Sequence, residues 1–360
     1  MITTGVIYAG AWPKQRPSVT SAKRENQLKF GLSMTGMLQQ PPGTDMVATL
    51  GEAVELVKLA NELGFAYMYA GQHYLSHPYQ MLQPLPVMGR LAAEAPGMDQ
   101  VFTAVLPLHN PVDLAEQVAS LDVITNGHAI LAVALGYREE EYDSFGVKRE
   151  DRVSRMIESL EVMQLLWSGK KVSYKGKHFQ LSDVHIGLNP VQRPSPPVWI
   201  AASSDRAVER AGRLGYPWLI NHADYPTVER QVAMYRAALH EAGHSSVTTL
   251  PALREFFEAE TREEAIRACQ PFLSGKYETY SQWGQDEALN GEQSFTSDFE
   301  ELARDRFIVG SVEDVVSDLK RYEALGVTHM GLRMRWAGMG VEPTAKCMRL
   351  IAEQVMPHFQ

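Results

Sequence analysis

The sequence predicts an α/β fold, a (β/α)₈ barrel with a small hairpin insertion and a long insertion before its last βα units. Eight short apolar segments alternate with segments of helical periodicity. Three helices end in Leu-Gly and a strand follows at once, around Gly64, Gly215 and Gly326. The alternative is a doubly wound sheet, but neither GxGxxG after the first strand nor GxxxxGK[ST] occurs.

The predicted strands are apolar on both faces, as buried parallel strands are. Between them, apolar residues recur at helical spacing from Asp45 to Leu63. Asn110 and Pro111 suit the cap and first turn of another helix, and a further helix begins at about Asp205. The predicted strands cover residues 28–34, 65–71, 101–107, 129–135, 197–202, 217–221, 250–257 and 328–334.

Two stretches interrupt this alternation. VSYKGKHFQLSDV, residues 172–184, predicts a small hairpin with Lys175 and Gly176 in its turn. Residues 274–300 are long, polar and rich in aromatic side chains. A connection of that length in a compact domain is usually functional or disordered, so we expect a mobile lid, cleavable by trypsin near Lys276.

Composition narrows the class of protein. The 360 residues carry a net charge of −9 with both signs interspersed, which disfavours a nucleic-acid groove. No apolar run reaches the roughly 18 residues of a membrane span. The two cysteines, Cys269 and Cys347, are far apart, which fits a cytoplasmic location. Residues 1–27 are polar and aperiodic, so we predict a flexible N-terminal arm before a barrel domain over 28–360.

Side chains at the carboxyl ends of the predicted strands are the candidates for chemistry. They include His73, His109 and His222 but few carboxylates, and no HExxH or GxSxG occurs, so we expect no metal site and no serine nucleophile. For His73, a catalytic and a structural role stay equally open. The histidine-bearing loop after residue 71 would be held by Gln72. The last strand would end in Arg335 and Trp336.

A phosphate group could bind where a strand leads into a helix. Ser203 and Ser204 lie at such a junction, where serine hydroxyls and free backbone N–H groups could hold an anion. The simpler alternative is that one serine caps the helix. Gly310 and Ser311 open a later helix and offer a rival phosphate site.

Several segments together resemble the bacterial luciferase-like, flavin-dependent monooxygenases. LGFAYMYAGQHY is similar to the family segment that carries a catalytic histidine, and PLHNPVDLAEQVASLDVITNGH follows the family pattern of the next unit. ALGYREEEYDSFG, PPVWIAASS and IAEQVMPHF resemble later family segments. The resemblance runs from about Leu28 to Phe359, and the order of the segments makes it specific.

The resemblance implies a barrel that binds FMN, or the deazaflavin F420, at the strand ends. Reduced FMN, usually supplied by a separate flavin reductase, would react with O₂ to give a flavin hydroperoxide that oxidises a small organic substrate such as a carbonyl compound. The chain would form a homodimer or heterodimer. An F420-dependent dehydrogenase and a flavin-binding protein without turnover are the alternatives. Carried over by position, the catalytic residue is His73, and the cofactor-binding residues are Thr103, Ala104, Tyr137, Arg152, Ser203, Ser204, Asn221 and His222.

This sequence also departs from the family pattern. Gln72 and Tyr74 replace a glutamate and a second histidine, His128 replaces an arginine, and Leu135 stands where luciferase has a phosphate-binding arginine. The phosphate site is therefore expected to depend on Ser204, Tyr137 and Arg152, with weaker charge. An imidazole titrates near neutral pH, so His73 is expected to move a proton there.

Overall fold

Eight parallel strands form a closed ring in the computed structural model, which describes residues 27–285, Leu289, Phe295 and residues 298–360. Each strand pairs with the next in the chain, and the last pairs with the first. A bridge between Ile220 and Ala252 joins the sixth strand to the seventh, which closes the predicted barrel. The strands are β1 Lys29–Ser33, β2 Tyr67–Ala70, β3 Asp99–Val105, β4 Ala129–Ala134, β5 Val198–Ala201, β6 Trp218–Leu219, β7 Pro251–Glu258 and β8 His329–Arg333.

Helices follow the strands and cover the ring. Asn110 accepts a hydrogen bond from the backbone N–H of Val112, so the expected cap forms. Asp45 also caps a helix, because it accepts from the backbone N–H groups of Val47 and Ala48. The longer helices are α1 Met46–Glu62, α2 Pro84–Leu91, α3 Pro111–Ile124, α4 Arg152–Trp167, α5 Asp205–Arg213, α6 Tyr225–Glu241, α7 Arg262–Gln282, α8 Val312–Ala324 and α9 Val341–Leu350. Shorter helical turns cover Thr35–Leu38, Leu106–Leu108, Glu139–Ser144, Arg149–Asp151, Phe299–Ala303, Ile351–Val355 and Met356–Phe359.

Three small strand pairings lie outside the ring. The predicted hairpin is present, with Val172–Lys175 antiparallel to Gln180–Val184. Gln39–Gln40 pairs with Gln80–Met81 beside the barrel mouth. Ile308–Gly310 pairs in parallel with the last residues of β7. None of the described helices is long and apolar enough to cross a membrane.

The predicted loop over 274–300 is wrong for its first nine residues, because α7 continues to Gln282. Cys269, Leu273 and Tyr277 recur every four residues and are buried, so this part of the chain has an apolar helical face. Lys276 is also buried, so it is not the exposed trypsin site that we expected. Most of residues 286–297 lies outside the described part of the chain, as do residues 1–26 of the predicted arm over 1–27.

Large side chains fill the lower half of the barrel. Alternate residues of β2 point inward, and Tyr67 packs edge-on against Trp199 and His329. A Cβ atom on Gly31 would lie 2.3 Å from the Tyr67 ring, and one on Gly331 would lie 2.3 Å from Leu253. These glycines make room for the aromatic layer, which forms a solid floor beneath the open upper end.

Candidate active site

A cavity of about 510 Å³ opens at the carboxyl ends of the strands, the size of many small-molecule sites. Ala104 alone among the predicted site residues does not line it, because its side chain packs into the hydrophobic core between strands and helices. The predicted residues that line the cavity are His73, Thr103, Tyr137, Arg152, Ser203, Ser204, Asn221 and His222.

The junction between β5 and α5 exposes a helix N-terminus to this cavity. Ser204 is the N-cap of α5, yet its side chain makes no capping hydrogen bond. The simpler alternative, in which this serine hydroxyl caps the helix, is therefore wrong. Asp205 follows directly, but its carboxylate receives hydrogen bonds from Arg230 at 2.7 and 2.9 Å. The first N–H groups of the helix and the serine hydroxyl are thus available to an anion.

Two arginines besides the expected Arg152 add positive charge near this junction. Arg149 and Arg152 line the cavity beside Ser203 and Ser204. Arg210, one helical turn further along α5, has a buried Nη1 without a hydrogen-bond partner in the described residues. Burial and the charge of Arg152 lower the pKa of Arg210. We call Arg149, Arg152, Ser203 and Ser204 the β4–β5 end of the cavity.

The rival phosphate site at Ser311 is occupied by the protein itself. The Ser311 side chain accepts from the backbone of Asp314, and the Asp314 carboxylate accepts from the backbone of Ser311. Glu313 also contacts the Ser311 hydroxyl, at 3.1 Å. Two carboxylates at this helix start would repel a phosphate.

His73 lies on the loop after β2 and faces the cavity among aromatic rings. Its ring centroid is 6.1 Å from that of Tyr137, 5.6 Å from that of Tyr280 and 5.5 Å from that of Trp283. Burial, with the nearby charges of Arg138 and Lys276, lowers the pKa of His73 to about 3. The expectation of titration near neutrality is therefore wrong. The imidazole is neutral at physiological pH, with one ring nitrogen that donates a hydrogen bond and one that accepts.

Hydrogen bonds fix the loop that carries His73. Gln72 Oε1 accepts from the backbone of Val105 at 3.0 Å and lies 3.1 Å from His109 Nε2, as expected for a residue that holds the loop. Arg138 donates to the carbonyl oxygens of Tyr74 and Leu75. His109 therefore has a structural role, because its ring is engaged by this loop rather than by the cavity.

Arg138 also connects this loop to the end of α7. Its guanidinium lies 4.4 Å from the centroid of the Trp283 ring, and Trp283 stacks on Tyr280 at 5.3 Å with 21° between the rings. The His73 loop and the α7 end therefore share one cation–π and stacking cluster, which sets the position of the imidazole.

Asn221 and His222 follow β6, and His222 has an unusual backbone. Its φ of 59° is in the left-handed region, which non-glycine residues seldom adopt. Gln285 Nε2 lies 2.9 Å from His222 Nε2. The Nδ1 atom of the same ring is buried without a partner in the described residues. Burial, followed by the charges of Arg333 and Lys276, lowers the pKa of His222 well below its usual value.

A buried ionic cluster forms the opposite side of the cavity. Glu255 on β7 accepts from Lys276, from Arg333 at 3.4 Å and from the Trp336 indole at 2.6 Å. Burial raises the pKa of Glu255, but the charges of Lys276 and Arg333 outweigh it and hold that pKa below its usual value. Burial lowers the pKa of Lys276 to about 8. We call the cavity-lining residues Thr35, Lys276, Tyr280 and Arg333 the β8 end.

Arg333 was not predicted as a cavity residue, although the alternation of inward and outward side chains along β8 indicates it. In β8, Met330 and Leu332 point outward to the core, so Arg333 has the inward parity of His329. We expected Arg335 and Trp336 at the strand end. Instead Arg335 pairs with Glu52, and Trp336 supports Glu255. Arg149 was also not predicted as a cavity residue, although it lies only three residues before the predicted Arg152.

Three buried polar atoms of cavity-lining residues have no partner among the described residues, which favours a polar ligand. They are Tyr137 Oη, His222 Nδ1 and Gln285 Oε1. Thr103 Oγ1 is hydrogen-bonded to Tyr69 Oη at 2.7 Å. Together with the β4–β5 end, this donor set fits a phosphate-bearing ring system such as FMN. Among the described residues, no group of three or more His, Cys, Asp or Glu could hold a metal ion.

Comparison with known proteins agrees with this geometry. A sequence profile of the luciferase-like monooxygenases matches residues 28–329. The chain is 24% identical over 324 residues to the oxygenase component of the flavin-dependent trigonelline monooxygenase of Acinetobacter baylyi, covering 86% of this chain and 89% of that protein. It is 28% identical over 208 residues to the F420-dependent hydroxymycolic acid dehydrogenase of Mycobacterium tuberculosis, covering 55% and 56% of the two chains. The crystal structure of monooxygenase RslO1 from Streptomyces bottropensis superposes with a TM-score of 0.79 at 23% identity, over 92% of this chain and 100% of that one.

Proposed function

Because the chain belongs to the luciferase-like monooxygenase family of oxidoreductases, we propose that it is the oxygenase component of a flavin-dependent monooxygenase. It would take reduced FMN from a separate reductase and use O₂ to oxidise a small organic substrate. A relative that matches over 86% of this chain is itself the oxygenase component of a flavin-dependent monooxygenase, which supports FMN and O₂.

The proposal rests mainly on the arrangement of residues at the β4–β5 end of the cavity. A terminal phosphate would receive hydrogen bonds from Ser204 and the first N–H groups of α5. Arg149 and Arg152 would neutralise its charge, and Arg210 would add to the positive potential from behind. The flavin ring would then extend along Tyr137, Asn221 and His222.

His73 would act as a hydrogen-bond donor at the reacting edge. Bound reduced FMN would supply the electrons and activate O₂, and the protein must position one proton and exclude water. A neutral imidazole carries no charge, and its N–H can be held towards one oxygen atom. The aromatic rings of Tyr137, Tyr280 and Trp283 keep water from this side.

Anaerobic titration with reduced FMN and with reduced F420, followed by exposure to O₂, tests the proposal. We expect reduced FMN to bind at least tenfold more tightly, and O₂ to be consumed faster than by free reduced FMN when substrate is present. Tighter binding of F420 with no response to O₂ would favour a hydride-transferring dehydrogenase. Flavin binding without any turnover against a panel of substrates would favour a non-catalytic protein.

A further inference from the structure

Counted over the described residues, the β8 end carries more positive than negative charge. Lys276 and Arg333 both contact Glu255, so two buried cations share one carboxylate. The side chains of Lys276 and Arg333 are 11% and 7% exposed, and both line the cavity. Glu255 remains ionised because its pKa is lowered. The group of three therefore holds one excess positive charge in a place where an unbalanced charge is costly.

This charge lies far around the ring from the β4–β5 end. The strands of the barrel follow one another in the order β6-β5-β4-β3-β2-β1-β8-β7 before the ring closes. β8 is therefore four strands away from β4 and three away from β5. A phosphate bound at the β4–β5 end does not neutralise Lys276 and Arg333. The excess charge calls for a second anionic group, at the other end of the same cavity.

We propose that the β8 end binds the carboxylate of a small aromatic substrate; this rests on the proposed function, in which the β4–β5 end holds the cofactor phosphate. The His222 Nδ1 atom supports a polar ligand here, because it is buried and has no hydrogen-bond partner among the described residues. It lies on the residue after Asn221, which accepts from Arg333 at 2.6 Å. A second small cavity of about 10 Å³ adjoins the same residues, Thr35, Lys276, Tyr280 and Arg333. His222 is 8% exposed.

An aromatic body fits the walls between this end and His73. Tyr280 contacts the His73 ring at 5.6 Å and stacks on Trp283. Flat rings bind well against such faces, and His73 would then lie at the edge of the substrate ring. A carboxylate on Lys276 and Arg333 would fix which ring position is presented to His73, and so determine the regiochemistry of oxidation.

Calorimetric binding of benzoate, with neutral benzamide as its isostere, tests the inference. Both are titrated into the protein alone and into the FMN-saturated protein. We expect benzoate to bind about 10- to 100-fold more tightly than benzamide in both. Lys276→Met should remove most of this preference, Lys276→Arg should retain it, and Lys320→Met, a change of the same kind on the exposed face of α8, should leave it intact.

Two outcomes would overturn the inference. Equal binding of benzoate and benzamide to the wild-type protein would show that the charge is not used for a carboxylate. Loss of benzoate binding on saturation with FMN would assign Lys276 and Arg333 to the cofactor instead. If FMN does not bind at all, the proposed function fails, but the benzoate preference of the protein alone still decides the carboxylate site.

The pH dependence of the wild-type protein provides a measurement that needs no variant. Lys276 has a pKa of about 8, so its charge is lost as the pH rises through that value. The benzoate preference should fall between pH 7 and pH 9.5, while benzamide affinity stays constant. A preference that does not change over this range would contradict the role of Lys276. The charged or titratable groups that face Lys276 are Glu255, Arg333, Tyr277, Tyr280, His73 and His222.

Discussion

Ser204→Asp should weaken FMN binding strongly while leaving the fold intact. Aspartate is as good an N-cap as serine, so α5 keeps its start. The new carboxylate would face the β4–β5 end, in contrast to that of Asp205, which is held by Arg230 at 2.7 and 2.9 Å. A phosphate at this end would therefore meet an uncompensated negative charge.

The size of the effect follows from the separation of the charges. Two unit charges about 4 Å apart repel by about 4 kcal/mol at an effective dielectric constant near 20. Losing a hydrogen bond to a charged group costs about 1.5–3 kcal/mol. Arg149 and Arg152 line the same end and offset part of the repulsion. We expect a net loss of about 2–4 kcal/mol, a rise in Kd of roughly 30- to 700-fold.

Riboflavin, which lacks the phosphate, provides the control ligand for this variant. Fluorescence titration should show that Ser204→Asp weakens FMN binding and leaves riboflavin binding within a few-fold. Ser311→Asp should change neither affinity, because Ser311 is bonded to Asp314 away from the cavity. An equal loss for both flavins would mean that the variant damages the cavity generally. A larger effect of Ser311→Asp would place the phosphate at the later helix and refute the reasoning.

Three further predictions concern catalysis, pH and packing. His73→Ala should lower turnover by about 10²–10⁴-fold and leave FMN affinity within a few-fold, whereas His77→Ala, on the exposed loop, should leave turnover unchanged. The wild-type kcat profile should show no inflection near pH 6.5, because the pKa of His73 is about 3. Unchanged turnover in His73→Ala would make His73 structural. Glu258 is buried and burial raises its pKa to about 7, so the folded state loses stability as the pH rises from about 4.5 to 7. Glu258→Gln should therefore raise the Tm at pH 8, which corresponds to a gain of about 1–3 kcal/mol in the free energy of unfolding, and should not raise it at pH 4.5. An equal gain at both pH values would exclude ionisation of Glu258 as the cause. Gly331→Ala should lower the free energy of unfolding, measured in urea, by about 1–3 kcal/mol, because the new Cβ would lie 2.3 Å from Leu253. Gly51→Ala is the control, because open space surrounds Gly51 and this change should not destabilise the protein.

The order of strands and helices could be predicted because local signals are strong in this chain. Leu-Gly helix ends, the Asn110 cap and the uninterrupted apolar strands each depend on residues close in sequence. The helical end of α7 was missed because Lys276, Tyr277 and Tyr280 gave the segment a polar, aromatic composition. Lys276 and Tyr277 donate to Glu255, about twenty residues away, and Tyr280 donates to Gln39, so local composition does not contain these contacts.

Site residues that directly follow a strand could be predicted from the sequence. Properties that depend on contacts with residues distant in sequence could not. His73, Ser204 and His222 follow strands directly, and the cavity includes them. The pKa of His73 could not be inferred, because burial lowers it first and the charges of Arg138 and Lys276, on other elements, lower it further. Arg210 is one turn into a helix, where an arginine is usually a solvated surface residue.

The pairing of β1 with β8 has a consequence for biosynthesis. Phe30 pairs with Met330, and the two residues are separated by most of the chain. While the ribosome makes the intervening residues, β1 has an unpaired edge that can join another nascent chain. The strand that finally covers this edge also delivers Arg333. A prematurely terminated product would therefore be prone to aggregation and would lack part of its ligand-binding surface, so quality control that removes unclosed barrels would also remove inactive ones.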